Sequence, residues 1–276
     1  MCDIFDIEPE FIHMEGAALR IVRGGSTTGT PLLLTAPWPE SLFAFHAVWP
    51  RLAALGPVVA VDLPGFGQSE WREDVMSPST MGAFLLRLLD QLELPKVHAI
   101  VPDVGTLAAL FAAADRPDCF ESIVAGSGGV AMELLGDPLR QIVNSDRGSF
   151  AGLDGGEQVV SLIRSSARHP TPEAVIEDYR RSSAGSRWNE AADYVRAYAT
   201  DLPRLSGLLG RIETPVLVIS GDADPFVPPA NGERLFAALP RCAHDVVESG
   251  HFVWEDAYDR YADLVDAWVR GGYRAA

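Results

Sequence analysis

"VHAIVPDVGTLAAL", residues 97–110, joins a β-branched apolar run to an Ala/Leu-rich stretch. The run ends at Val101, and Pro102, Asp103, Val104 and Gly105 follow. This pattern predicts a buried strand that bends sharply into a helix. A carboxylate at the bend has two readings. Asp is a preferred helix N-cap, worth about 1 kcal/mol in that role. The carboxyl end of a buried strand is also where an open parallel sheet gathers its ligand chemistry.

Similar short runs flank this one. "PLLLTA" (31–36), "PVVAVD" (57–62), "SIVAGS" (122–127) and "PVLVIS" (215–220) join "KVHAIV" (96–101) as expected strands, with "HDVVES" (244–249) a weaker sixth. Continuous Val/Ile/Leu runs of this length suit strands covered on both faces. Between them lie helical patterns, notably "TMGAFLLRLLDQLEL" (80–94) and a closing amphipathic "DAYDRYADLVDAWVRG" (256–271). Alternation of this kind predicts a mostly parallel, doubly wound α/β sheet. Residues 131–207 break the rhythm with helical patterns alone. "TPEAVIEDYRR" (171–181) offers Thr171 as N-cap and Pro172 at the first helical position, and "RWNEAADYVRAYATDL" (187–202) reads as one further helix. The expected organisation is a core of 1–130 and 208–276 with a helical cap of 131–207.

The chain has 276 residues, 47% of them hydrophobic and 22% charged, enough for one large domain with a real core. Its net charge of −16 opposes binding to nucleic acid and to anionic membranes. No apolar run reaches the roughly 18 residues of a membrane span, and the acidic start "MCDIFDIEPEF" is unlike a secretory signal. Cys2, Cys119 and Cys242 are odd in number and widely spaced, which suggests reduced thiols and a cytoplasmic location. The six histidines form no metal-ligand motif.

The residues that follow the expected strands carry the chemistry. Asp103 follows the third of them, Asp224 lies in "GDADPFVPP" (221–229), and His251 lies in "GHFVWEDAYD" (250–259). Nucleophile, acid and histidine in that chain order mark the alpha/beta-hydrolase fold, whose elbow is Gly-x-Ser-x-Gly. Here Asp103 stands in the serine position. "APWPESLFAFHAVWPRLA" (36–53) and "DLPGFGQS" (62–69) add two further segments. On these residues the chain resembles the alpha/beta-hydrolases over nearly its whole length. Within them it is most similar to the aspartate-nucleophile branch of epoxide hydrolases and haloalkane dehalogenases. The resemblance implies a mostly parallel central sheet flanked by helices, with a helical cap inserted after the sixth strand.

A carboxylate is ionised at neutral pH and needs no base to attack an sp3 carbon. The resemblance therefore implies an epoxide hydrolase-like enzyme without a cofactor, acting on a small apolar organic molecule and water. Asp103 would be the nucleophile, His251 the base that activates water, and Asp224 its partner. Trp38 and Val104 would supply the oxyanion-hole amides, and Tyr194 would be the ring-opening acid. Trp38, Phe150, Tyr179, Tyr198, Phe252 and Trp254 are the expected substrate contacts. A homodimer is an open expectation.

The chain also departs from the branch. Ala36-Pro37 replaces His-Gly, Val104 stands where Trp is usual, and Gly148-Ser149-Phe150 stands where a first cap tyrosine is expected. These departures keep a haloalkane dehalogenase, and a non-hydrolytic, cyclase-type or ligand-binding member, as alternatives.

Overall fold

The apolar runs form a twisted sheet because each offers hydrophobic side chains to both faces. In the computed structural model, which describes residues 8–273, the strands are β1 (Glu10–Met14), β2 (Ala17–Gly25), β3 (Leu32–Thr35), β4 (Pro57–Val61), β5 (Val97–Ile100), β6 (Phe120–Ala125), β7 (Val216–Gly221) and β8 (Cys242–Val247). Their spatial order is β1-β2-β4-β3-β5-β6-β7-β8. β1 pairs with β2, and β2 with β4, antiparallel; the remaining pairs are parallel. The central register aligns Leu34 of β3 with Ala60 and with Ile100.

The helices are α1 (Trp49–Ala53), α2 (Pro78–Gln91), α3 (Val104–Asp115), α4 (Asp137–Val143), α5 (Gly155–Ser166), α6 (Glu173–Ser183), α7 (Arg187–Arg196), α8 (Tyr198–Ser206), α9 (Ala230–Ala238), α10 (Val253–Asp256) and α11 (Tyr258–Arg270). Side chains alternate across the strands with period two. Leu33, Val59, Val61, Ala99 and Val218 face a core completed by α2 and α3. Leu32, Leu34, Val58, Ala60 and Ile219 face a second core completed by Trp49 and Leu52 of α1 and by Val265 and Trp268 of α11. Both faces are covered, so the strands read as continuous apolar runs.

Helices α4 to α8 all lie between β6 and β7. The single helix expected over 187–202 is two helices that meet at Ala197. The turn lets α7 pack on α4, α5 and α6 while α8 reaches α2 and α3. Tertiary packing overrides the unbroken periodicity. Helix α6 begins at Glu173 with Pro172 as its cap residue, one position later than expected, and Thr171 does not cap it. The hairpin β1–β2 adds two strands ahead of the first expected one at residue 31. Cys119 is buried and Cys242 half-buried, both as free thiols; Cys2 lies outside the described residues.

Candidate active site

The bend after β5 places Asp103 at φ 53° and ψ −123°. An L-residue pays strain for a positive φ, of order 1–3 kcal/mol, and such strain gathers at functional sites. Gly105 allows the bend: a Cβ there would strike the Thr35 hydroxyl. The Asp103 side chain makes no capping bond to α3, so the N-cap alternative does not describe it. Instead Oδ2 accepts the Trp38 backbone N–H at 2.7 Å. Oδ1 lies 3.6 Å from His251 Nε2. The Val104 amide, the first of α3, donates to no group among the described residues. It stands free at the positive end of the helix, beside the carboxylate.

His251 follows β8 and is buried. Its Nδ1 lies 2.8 Å from Asp224 Oδ2. The loop after β7 holds that aspartate rigidly, because Oδ1 accepts the amides of Phe226 and Val227. Asp222 takes a different task and accepts the Ser249 amide across the neighbouring loop. Ser127, at the end of β6, donates its hydroxyl to the His251 carbonyl at 3.0 Å. The imidazole packs against Phe226, Phe252 and Trp254. Burial works against its charge, but Asp224 and Asp103 on either side outweigh burial and raise its pKa to about 10. The imidazole thus sits between two carboxyl groups that favour its charged form.

A cavity of about 210 Å³ opens above these groups. Trp38, Asp103, Phe226, His251 and Phe252 form its floor. Leu139 and Ile142 of α4, Leu162 of α5, Trp188 and Val195 of α7, and Tyr198 of α8 form its roof. The lining is mostly apolar. Its volume somewhat exceeds the roughly 150 Å³ known to hold one benzene ring.

Several expected contacts are elsewhere. The Tyr194 hydroxyl donates to the Val104 carbonyl at 2.7 Å, behind the bend rather than in the cavity. The turn at Ala197 separates it from Tyr198, which does reach the cavity. Tyr179 donates to Glu255 at 2.6 Å, and the Trp254 indole donates to Glu40 at 3.4 Å; neither lines the cavity. Phe150 lies under the Arg196 guanidinium, 5.5 Å away, outside the lining. Trp38, Tyr198 and Phe252 line the cavity as expected.

Trp188 was missed. Its ring sits 5.0 Å from that of Trp38, and both indole N–H groups are buried without a partner among the described residues. A large aromatic in the polar run "RWNE" was the available signal. Among the described residues no cluster of His, Cys, Asp or Glu is arranged to hold a metal ion, and no helix is long and apolar enough to cross a membrane.

Comparison with known proteins agrees with this architecture. The chain is 26% identical over 247 residues to a pimeloyl-[acyl-carrier protein] methyl ester esterase of Neisseria meningitidis, covering 86% of this chain and 92% of that protein. It is 25% identical over 297 residues to a haloalkane dehalogenase of Psychrobacter cryohalolentis, covering 98% and 95%. The crystal structure of haloalkane dehalogenase DbeA from Bradyrhizobium elkani superposes with a TM-score of 0.82 at 20% identity, covering 97% and 99%. The profile of the alpha/beta hydrolase fold matches residues 38–258, and with the strand order and loop placement above, the chain belongs to the alpha/beta hydrolase fold family.

Proposed function

We propose that the protein is a hydrolase that opens small apolar epoxides through an ester on Asp103. One observation carries the reading. The elbow holds a carboxylate, with one oxygen bonded to the Trp38 amide and the other facing His251 in an apolar cavity. Oδ1, the oxygen that the turn leaves free, attacks a ring carbon. The C–O bond breaks, and its electron pair stays on the departing oxygen. Tyr198 is the acid that protonates this oxygen, in place of Tyr194. Burial, then the charge of Asp103, keep its phenol protonated. With the Asp103 charge gone into the ester, the His251 imidazolium gives up its proton, which returns to the Tyr198 phenolate. In the second step the neutral imidazole takes a proton from water, and the hydroxide attacks Cγ of the ester. Negative charge then grows on Oδ2, within reach of the Trp38 amide and next to the free Val104 amide. Release of the diol restores the carboxylate.

A second reading has its own support. Trp38 and Trp188 offer two unpartnered indole donors beside the cavity, which suit a departing halide, and one of the relatives above is a haloalkane dehalogenase. Both readings share the aspartyl ester. The test is intact-mass spectrometry of His251→Gln after a single turnover with styrene oxide and, separately, 1-bromobutane. The expected result is a stable adduct on Asp103 with the epoxide. An adduct only with the bromide selects the second reading. Binding of either probe without any adduct overturns both.

A further inference from the structure

Glu40 and Glu255 meet beneath the Trp38 turn, and the chemistry above uses neither. Glu40 lies two residues beyond Trp38 on the loop that leaves β3, and Glu255 lies in α10. They are 1% and 8% exposed. Among the described residues Glu40 Oε1 receives the long bond from the Trp254 indole. Its Oε2 is sealed from solvent, and no donor reaches it among the described residues. The carboxyl group of Glu40 is in hydrogen-bonding contact with that of Glu255. Two touching carboxylates in a dry interior cannot both stay ionised without a cation.

The surroundings supply no such cation. His46 Nδ1 lies 3.7 Å from Glu255 Oε1, but it faces the Phe43 carbonyl, and burial pushes its pKa down. Helix α6 contributes the Tyr179 hydroxyl, and α10 contributes Asp256. Asp103 adds a further negative charge from the elbow. No lysine or arginine forms an ion pair with either glutamate among the described residues. The short bond from Tyr179 marks Glu255 as the ionised acceptor. Glu40 is then the member that carries the proton and donates it to Glu255.

We infer that Glu40 and Glu255 form a carboxylic acid–carboxylate dyad that positions the Trp38 amide, so that breakdown of the Asp103 ester depends on Glu40 keeping its proton. The inference rests on the aspartyl-ester reading above. Glu40 shares its turn with the amide that holds Asp103 Oδ2. Its other contact, Trp254, packs against the His251 ring. Loss of the proton places a second uncompensated charge under that turn, and the turn shifts to relieve it. Burial, then Glu255, push the Glu40 carboxyl well above its ordinary value, while burial first brings Glu255 to about 7. The dyad therefore holds a proton well above the ordinary carboxylate range.

Two measurements test this. The first is the infrared difference spectrum of wild type minus Glu40→Gln near pH 8. A protonated carboxylic-acid carbonyl band that vanishes in the variant is expected; no such band overturns the dyad. The second is single-turnover ester breakdown against pH, with styrene oxide as probe. Glu40→Leu slows breakdown by about 10²-fold, the scale of one lost oxyanion donor. Glu40→Gln keeps a donor to Glu255, rescues breakdown relative to Glu40→Leu, and removes the fall in rate at alkaline pH. Wild-type breakdown in Glu40→Leu, or an unchanged alkaline fall in Glu40→Gln, overturns the positioning role. If no variant, His251→Gln included, ever gains the adduct mass, the aspartyl-ester reading fails, while the infrared band still decides the dyad.

Discussion

On the proposed route, esterification of Asp103 is itself a charge perturbation whose size follows from the geometry. Before reaction, His251 Nε2 faces a full negative charge 3.6 Å away. The ester removes that charge. At an effective dielectric of 20 the lost attraction is about 4–5 kcal/mol. At about 1.4 kcal/mol per tenfold, the imidazolium then holds its proton roughly a thousandfold more weakly. In the free enzyme it keeps the proton up to about pH 10. In the ester it releases the proton in the neutral range and becomes a base when water must be activated. Ester formation should therefore be flat across neutral pH, whereas ester breakdown should rise through it. Rapid quenching after a single turnover, followed by intact-mass spectrometry over a pH series, separates the two steps. A breakdown rate that is flat through neutrality, or that first rises near the free-enzyme titration, refutes the reasoning.

Three further outcomes are expected. Asp224→Asn keeps the bonds from Phe226 and Val227 to Oδ1 but turns a donor toward His251 Nδ1, so breakdown slows by about 10³–10⁴-fold while ester formation persists; equal loss of both steps in quench kinetics contradicts the assignment. Tyr194→Phe lowers the denaturation midpoint by about 1 kcal/mol of stability with rates kept within a few-fold, whereas Tyr198→Phe slows epoxide opening by about 10²-fold and leaves bromide displacement intact; the reverse ranking restores Tyr194 as the acid. Thermal stability should fall as pH rises from about 5 to 9. Asp62, raised to about 6 by burial, Glu255, about 7, and His251, about 10, all hold protons more tightly folded than unfolded. Their stabilisation is complete below the unfolded values and is lost as pH climbs through the folded ones. A melting temperature that rises across that window in scanning calorimetry excludes this balance.

How much of this was legible beforehand depended on how local each cause is. Strands β3 to β7 announced themselves because both faces are buried and most positions are apolar, whereas β8, a half-exposed edge strand with His244 and Asp245, gives a weaker pattern. β1 and β2 did not. β2 carries Arg20 and Arg23, and Arg20 is buried only because Asp178 of α6 and Asp62 meet it there. No local pattern foretells a guanidinium that helps fasten the helical insertion to the sheet. The same contrast runs through the site. Asp103, Asp224 and His251 stand at strand ends, where one short motif carries each of them. Tyr194 and Tyr198 fall within what reads as one helix, yet the turn at Ala197, set by the packing of α7 and α8 on different neighbours, sends one hydroxyl to Val104 and the other ring to the cavity.

Glu40 and Glu255 make the point most sharply. Taken singly, each is a charged residue in a loop or a short helix, and sequence reasoning assigns such residues to water. Only the pair explains either. Each carboxyl is tolerable in the interior because the other can share its proton and because Tyr179, contributed by the insertion, closes the ring of donors. Removing one member should therefore harm the protein more than replacing both with apolar residues of matching shape, since the single variant strands a buried polar partner. Glu40→Leu alone is expected to lower stability by about 3 kcal/mol and Glu40→Leu with Glu255→Met by less. Additive losses in a double-mutant cycle would show instead that the two carboxyls act independently.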